Sequence, residues 1–202
     1  MHTLDRLLFV LAVVIAVAGC GSLPGTGEAS DKVSRSGDAQ LDLLNQGYSL
    51  LYADVSGLRL VDKLLLVKFE SDSTQAIVEA ISDYSAKLAT QLEGVAKRYP
   101  SVRIDLQPLP EVEKRTRAAA NKERALSFAP LVGRSGADFE RTLLLTLSGA
   151  LNQLRFLAQV TAQEERNDER RALLEDAQKN FDSLYRRTLK LLDERYYKHT
   201  GR

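Results

Sequence analysis

Apolar residues recur at three- and four-residue spacing along four long stretches of this chain, and no stretch alternates apolar with polar as a half-buried strand does. The chain is therefore read as all-α. Leu41, Leu44, Tyr48, Leu51, Val55, Leu58, Val61, Leu65 and Phe69 predict a first helix from about Ala39 to Glu70. Gly47 and Gly57 within it each cost about 1 kcal/mol relative to Ala, which points to close helix packing rather than to a hinge. Ser71-Asp72-Ser73 breaks the pattern and offers N-cap oxygens to a second helix, with Ile77, Ile81, Tyr84, Leu88, Leu92, Val95 and Tyr99 on one stripe. Pro100 ends it.

The third long helix carries Phe139, Leu143, Leu147, Ala150, Leu154 and Leu157, with Leu144, Leu145 and Leu151 widening the stripe. Such a wide apolar surface predicts burial against several neighbours. Pro130, Gly133 and Gly136 mark the loop before it, and Ser135 or Asp138 is its expected cap. Glu164 to Asp168 forms a hinge into the last helix, capped by Asn167 or Asp168. Leu173, Leu174, Ala177, Phe181, Leu184, Leu191 and Leu192 line that helix, Thr188 interrupts the stripe, and Tyr196-Tyr197-Lys198-His199 is an expected frayed tail.

Between the second and third long helices lies a proline-containing crossover, Pro100 to Pro110, whose Val102, Ile104, Leu106 and Leu109 are expected to pack over the bundle. A shorter helix follows to about Phe128, with Pro110 suited to its first position. Its Arg115, Arg117, Lys122 and Arg124 are diluted by Glu111, Glu113 and Glu123 and form a solvated face. The expected fold is an antiparallel four-helix bundle with ferritin-like connectivity and an extra short helix in the crossover between helices 2 and 3. Tyr84 to Leu92 followed by the crossover, and Gly136-Ala137-Asp138-Phe139-Glu140-Arg141 opening the third long helix, weakly resemble secreted bacterial ferritin-like domains of unknown function.

Ahead of the bundle, the charged start Met1 to Arg6 and the apolar run Leu7 to Ala18 have the layout of a secretory signal, and the run is too short to span a bilayer. Val17-Ala18-Gly19-Cys20 resembles the lipobox of bacterial lipoproteins. The resemblance implies cleavage before Cys20, acylation of its thiol and of the new amino group, and, with Gly21 rather than Asp next, transfer to the outer membrane facing the periplasm. Asp5 departs from the acid-free start usual in that family. Two or more acyl chains make a stable anchor where one is marginal. Residues 1–19 are thus a signal peptide, 20–38 a lipidated cysteine and a Gly-, Ser- and Pro-containing flexible tether, and 39–202 the bundle domain. Cys20 is the single cysteine, so stability must come from packing without a disulfide.

The inventory limits the chemistry. A net charge of +1 gives no reason to propose nucleic acid. Ferritin-like metal sites need glutamates and Glu-x-x-His pairs, yet the mature chain holds one histidine, His199, outside every stripe. Glu70, Glu79, Glu140 and Glu175 could form only an all-carboxylate site, and each sits where a solvated or capping acid is expected. Tyr48, Tyr52, Tyr84 and Tyr99 lie on stripes and are read as core or core-edge residues with satisfied hydroxyls. Cysteine and histidine nucleophile systems are excluded, and no phosphate-binding glycine loop occurs. The expectation is a non-enzymatic, lipid-anchored binding or scaffold subunit for an envelope protein, without cofactor or metal. The alternatives are a carboxylate-only metal or redox protein and a bundle that binds an amphiphile.

Overall fold

The computed structural model describes residues 32–66, 71–128 and 136–197. The expected signal peptide, Cys20, Glu70, Ser135 and His199 lie outside these residues. Among the described residues there are helices and connections but no strand, and no helix is long and apolar enough to cross a membrane.

Helix α1 spans Lys32–Leu58, beginning seven residues before Ala39, and a 3-10 segment follows at Val61–Leu66. The expected continuous helix to Glu70 is therefore wrong. Gly57, one residue before the end, has a buried backbone whose carbonyl takes a turn bond from Leu60 N–H (3.2 Å), which closes α1 and redirects the chain. Helix α2 spans Asp72–Arg98, and Ser71 caps it as expected, its Oγ accepting from Thr74 N–H. Helix α3 spans Glu111–Phe128; Pro110 stands one position outside it, its carbonyl accepting the first helical bond from Lys114 N–H. Helix α4 spans Ala137–Glu164 and α5 Asp168–Leu192, the latter capped by Asn167 Oδ1 on Arg170 N–H. The cap of α4 is neither Ser135 nor Asp138. Gly136, at φ 150°, occupies that position, and its carbonyl accepts from Phe139 and Glu140 N–H, so no side-chain oxygen is used.

Contacts fix the helix directions. Ser82 Oγ donates to Arg59 O (2.7 Å) and Tyr52 Oη donates to Glu93 Oε1 (2.8 Å), so α1 and α2 run antiparallel. Gln40 Nε2 donates to Glu164 O and Gly47 abuts Thr161, which sets the start of α1 against the end of α4. Tyr84 on α2 meets the Phe181 ring edge-on at 5.3 Å, while Tyr99 reaches Glu169 at the start of α5. Helices α4 and α5 pack along their length. The core is the joint apolar face of α1, α2, α4 and α5, with Tyr48, Leu51, Ile81, Leu88, Leu147, Leu154 and Phe181 wholly enclosed.

The crossover from Tyr99 lies on α1 as expected: Val102 is buried, Arg103 N–H donates to Asn45 Oδ1 (2.8 Å), and Ser49 Oγ donates to Arg103 O and accepts from Leu106 N–H. Helix α3, by contrast, has no fully buried side chain among those described. Four expectations need correction. Leu41, at the start of the first stripe, is 38% exposed rather than in the core. Thr188 does not interrupt the core but lies within it, its hydroxyl satisfied by Leu184 O. Leu145 faces outward, because it sits opposite the Leu147–Leu151–Leu154 face. The start of the tail is tied down, with Tyr196 Oη donating to Glu140 Oε2 (3.1 Å), while Tyr197 is exposed and Lys198 lies outside the described residues.

Gly47 shows why a costly residue is kept in α1. A Cβ there would stand 2.5 Å from Thr161 Oγ1 and 2.9 Å from its Cγ2, and that β-branched side chain is stiff in a helix. At Gly94 a Cβ would meet nothing within 4 Å. Thermal or urea unfolding should show Gly47→Ala destabilised by about 1–3 kcal/mol despite its helix propensity, with partial recovery on adding Thr161→Ala. Gly94→Ala should stabilise by about 0.5–1 kcal/mol.

Candidate functional site

The turn between α4 and α5 gathers charge in a way that its sequence, Glu164 to Asp168, does not announce. Glu165 follows the last residue of α4, is 2% exposed, and points inward. Its carboxylate accepts from Tyr48 Oη (2.9 Å), from Asn167 N–H (2.8 Å) and, bidentately, from Arg170 Nε (2.9 Å) and Nη2 (2.8 Å). The Arg170 guanidinium stacks 4.6 Å from the centre of the Tyr99 ring. Tyr99 Oη and Arg98 Nη1 then bind the two oxygens of Glu169, at 3.0 and 2.6 Å. One cluster thus joins α1, α2, the end of α4 and the start of α5.

Its electrostatics argue against proton chemistry. Burial by itself would raise the Glu165 pKa, but Arg170, the Asn167 N–H and Tyr48 outweigh it and hold the carboxyl below its ordinary value. Burial, and then the neighbouring Glu165 charge, push the Tyr48 phenol far above its ordinary value. Near neutral pH the acid stays ionised and the phenol protonated. Neither is poised to trade a proton.

Two cavities flank Arg170. One of about 300 Å³ is lined by Gln91, Val95, Arg98, Tyr99 and Glu169, and Gln91 Oε1 is buried without a partner among the described residues. The other, of about 190 Å³, is lined by Gln40, Leu41, Leu44, Glu164 and Arg166. Both are small, polar-rimmed and at the end of the bundle where α1 meets the end of α4.

A second buried carboxylate sits at the opposite end. Glu140, expected as a solvated or capping acid, is 1% exposed. Because α4 starts at Ala137, Glu140 falls on the face shared with Leu143, Leu144 and Leu147. It accepts from Thr74 Oγ1 (2.8 Å) and Tyr196 Oη and lies 3.5 Å from Arg195. Glu79 and Glu175 are exposed, so the structure does not bring these glutamates together. Among the described residues, no group of three or more acids, histidines or cysteines is placed to hold a metal ion. The tyrosines are core and core-edge residues as expected, but one hydroxyl is poorly satisfied: Tyr84 Oη is buried with Asn180 nearby and makes no well-formed hydrogen bond among the described residues. Arg115 and Arg117 are paired with Glu111 and Glu113, one turn away on α3.

Asp54 was not legible as special. It lies seven residues after Gly47, on the same face of α1, and is 8% exposed. Burial raises its pKa to about 7, opposed by the charge of Arg117 on α3. A single acid beside a valine in a helix gives no sequence signal of burial. Its cover comes from outside its own segment, with the charge of Arg117 on α3 close by.

No protein family, curated protein or solved structure matches the chain.

The two acids predict opposite pH behaviour. Glu165, with its pKa lowered on folding, contributes stability above the ordinary carboxylate range that is lost as pH falls through its folded value. Glu165→Ala should cost about 2–3 kcal/mol near pH 7, because the buried Tyr48 hydroxyl and the largely covered Arg170 guanidinium lose their acceptor, and the cost should shrink in acid. Asp54, with its pKa raised, contributes stability that is full below its ordinary value of 3.8 and is lost as pH rises toward about 7. Asp54→Asn should therefore leave stability nearly unchanged near pH 4 and increase it by up to about 4 kcal/mol at pH 8, at about 1.4 kcal/mol per pKa unit. Denaturant titrations of both variants across this range check the signs.

Proposed function

We propose that this chain is a lipid-anchored protein of the bacterial envelope, held by acylated Cys20 at the outer membrane and facing the periplasm. In this reading its helical bundle is a non-catalytic binding or scaffold subunit for an envelope protein. The observation that carries it is how the buried charges are used. The buried carboxylates Glu165 and Glu140 accept hydrogen bonds from other helices, and Arg170 gives its Nε and Nη2 to Glu165. What remains accessible at the hinge end is a recognition rim of Leu41, Arg98, Arg166 and Glu169 around two shallow cavities. A rim of mixed charge around partly exposed apolar groups suits a protein surface better than a reaction centre.

The connectivity is read as ferritin-like. Helices α2 and α4 start at the same end, joined there by Thr74 and Glu140, so the crossover and α3 must return the chain along the bundle. The resemblance of Val17-Ala18-Gly19-Cys20 to a lipobox supports the anchor. Helix α1 begins at Lys32, close after that cysteine, and enters the bundle at the hinge end.

The test is a crosslink and pull-down from intact envelopes with the full-length chain, a Cys20→Ala form and an Arg166→Glu form. Arg166 is exposed, and its reversal leaves the core untouched. The expected result is one stoichiometric envelope protein recovered with the parent chain, lost with Cys20→Ala through mislocalisation and lost with Arg166→Glu at unchanged localisation. Full function from the soluble Cys20→Ala form would contradict the anchored reading. Undiminished recovery with Arg166→Glu would move the partner away from this rim.

A further inference from the structure

In a chain with 27% charged residues, α4 carries a single charged side chain, Arg155, between positions 142 and 163. Its inner face fills the core, which accounts for half of that depletion. The outer face has no such reason. Leu145, Gly149, Asn152, Phe156 and Val160 follow at four- and three-residue steps and share one side of the helix, opposite the core residues Leu147, Leu151 and Leu154. Leu145 is 45%, Phe156 50% and Val160 51% exposed. The flank of this face is rigid: Arg155 is paired with Asp182 (2.6 Å), bonded twice to Asn152 Oδ1 (3.0 and 2.7 Å), and lies over both the Phe156 and Tyr185 rings, at 4.6 and 4.4 Å. Ordering such a side chain on binding has little left to cost.

We propose that this face is a self-association surface on which a second copy of the chain packs its own α4 antiparallel. The order of side-chain sizes along the stripe carries the inference. A two-fold axis between Asn152 and Gln153 sets Phe156 over Gly149 of the second copy and Leu145 over its Val160, and each contact occurs twice. A Cβ at Gly149 would meet nothing within 4 Å, so the glycine leaves an open notch for the ring. Parallel pairing would set ring on ring and notch on notch. An isologous contact must be complementary to itself, and only the antiparallel sense makes this stripe so.

The contact is small. The sixteen residues from Leu145 to Val160 cover about 24 Å of helix, and such a strip buries well under the roughly 1,600 Å² of a standard interface. Association is accordingly weak in dilute solution. It becomes favourable when two chains share one membrane, which raises their effective concentration toward about the millimolar range. This part rests on the anchored reading. The two-fold is perpendicular to both copies of α4, so the paired bundles lie along the membrane surface.

The experiment uses the full-length acylated chain in liposomes, with Gln153→Cys beside the two-fold and Ser183→Cys on the exposed side of α5 as control. Mild oxidation should crosslink Gln153→Cys at least ten-fold more than Ser183→Cys. Adding Gly149→Glu should reduce the crosslink to the control level without lowering thermal stability, since the position is open and glutamate favours helix. The Cys20→Ala form at the same dilute concentration should stay monomeric, and its Gln153→Cys derivative should crosslink at millimolar concentration. A chain that floats with the liposomes yet crosslinks no better than the control, or that ignores Gly149→Glu, overturns the interface and leaves the anchor standing. A chain that does not float overturns the anchored reading, and the millimolar crosslink then decides the interface by itself.

Discussion

The bidentate pair between Glu165 and Arg170 governs how this bundle closes. It lies where α4 ends and α5 begins, between two helices that otherwise meet through apolar side chains and the Arg155–Asp182 pair. Apolar packing is non-directional and leaves the angle of such a turn free. A carboxylate that must accept from one guanidinium, one backbone N–H and one phenol has almost no freedom. Tyr48 carries that constraint into α1, and the stacking of Arg170 on Tyr99 carries it into α2. The net stabilisation is modest, because both ions lose solvation on burial. What the pair fixes is geometry, since any other arrangement of the turn strands a charge.

Glu140 repeats the device at the far end, where it binds Thr74 of α2 and Tyr196 beyond α5. Helix α4 is therefore held at both ends by an enclosed carboxylate and along its middle by leucines. With both ends fixed, the outer face of α4 is presented in one orientation. This is the condition for the proposed pairing through Phe156 and Gly149. Helix α3 is attached differently, without a fully buried side chain among those described and over the poorly solvated Asp54.

Much of the fold was legible in the sequence because periodicity reports which face of a helix is apolar. The stripes of α1, α2, α4 and α5, the Ser71 and Asn167 caps and the packing of Val102 all follow from local pattern. What the pattern misread or left unmarked shares a cause. Glu140, Glu165, Asp54 and Thr188 are polar residues whose burial is made possible by partners or cover outside their own segment, by Thr74, Tyr48 and α3, or by a carbonyl of the preceding turn. Leu145 is the converse, an apolar residue at the edge of a wide stripe whose neighbours simply do not reach it. The end of α1 was missed because a glycine near a helix terminus and one within close packing look alike in sequence, and Gly47 and Gly57 differ only in what surrounds them.

Site-resolved hydrogen exchange across the α4–α5 turn tests the central role of the Glu165 cluster most directly. If the cluster holds the bundle closed, the amides of Asn167, Arg170 and Arg171 will exchange near pH 7 only through opening nearly as costly as global unfolding. They will lose that protection before the Leu147–Leu154 region does as the pH is lowered through the titration of Glu165. Exchange of these amides at ordinary loop rates near pH 7, with the α4 core still protected, would show that the turn is a passive connection and that leucine packing alone sets the fold.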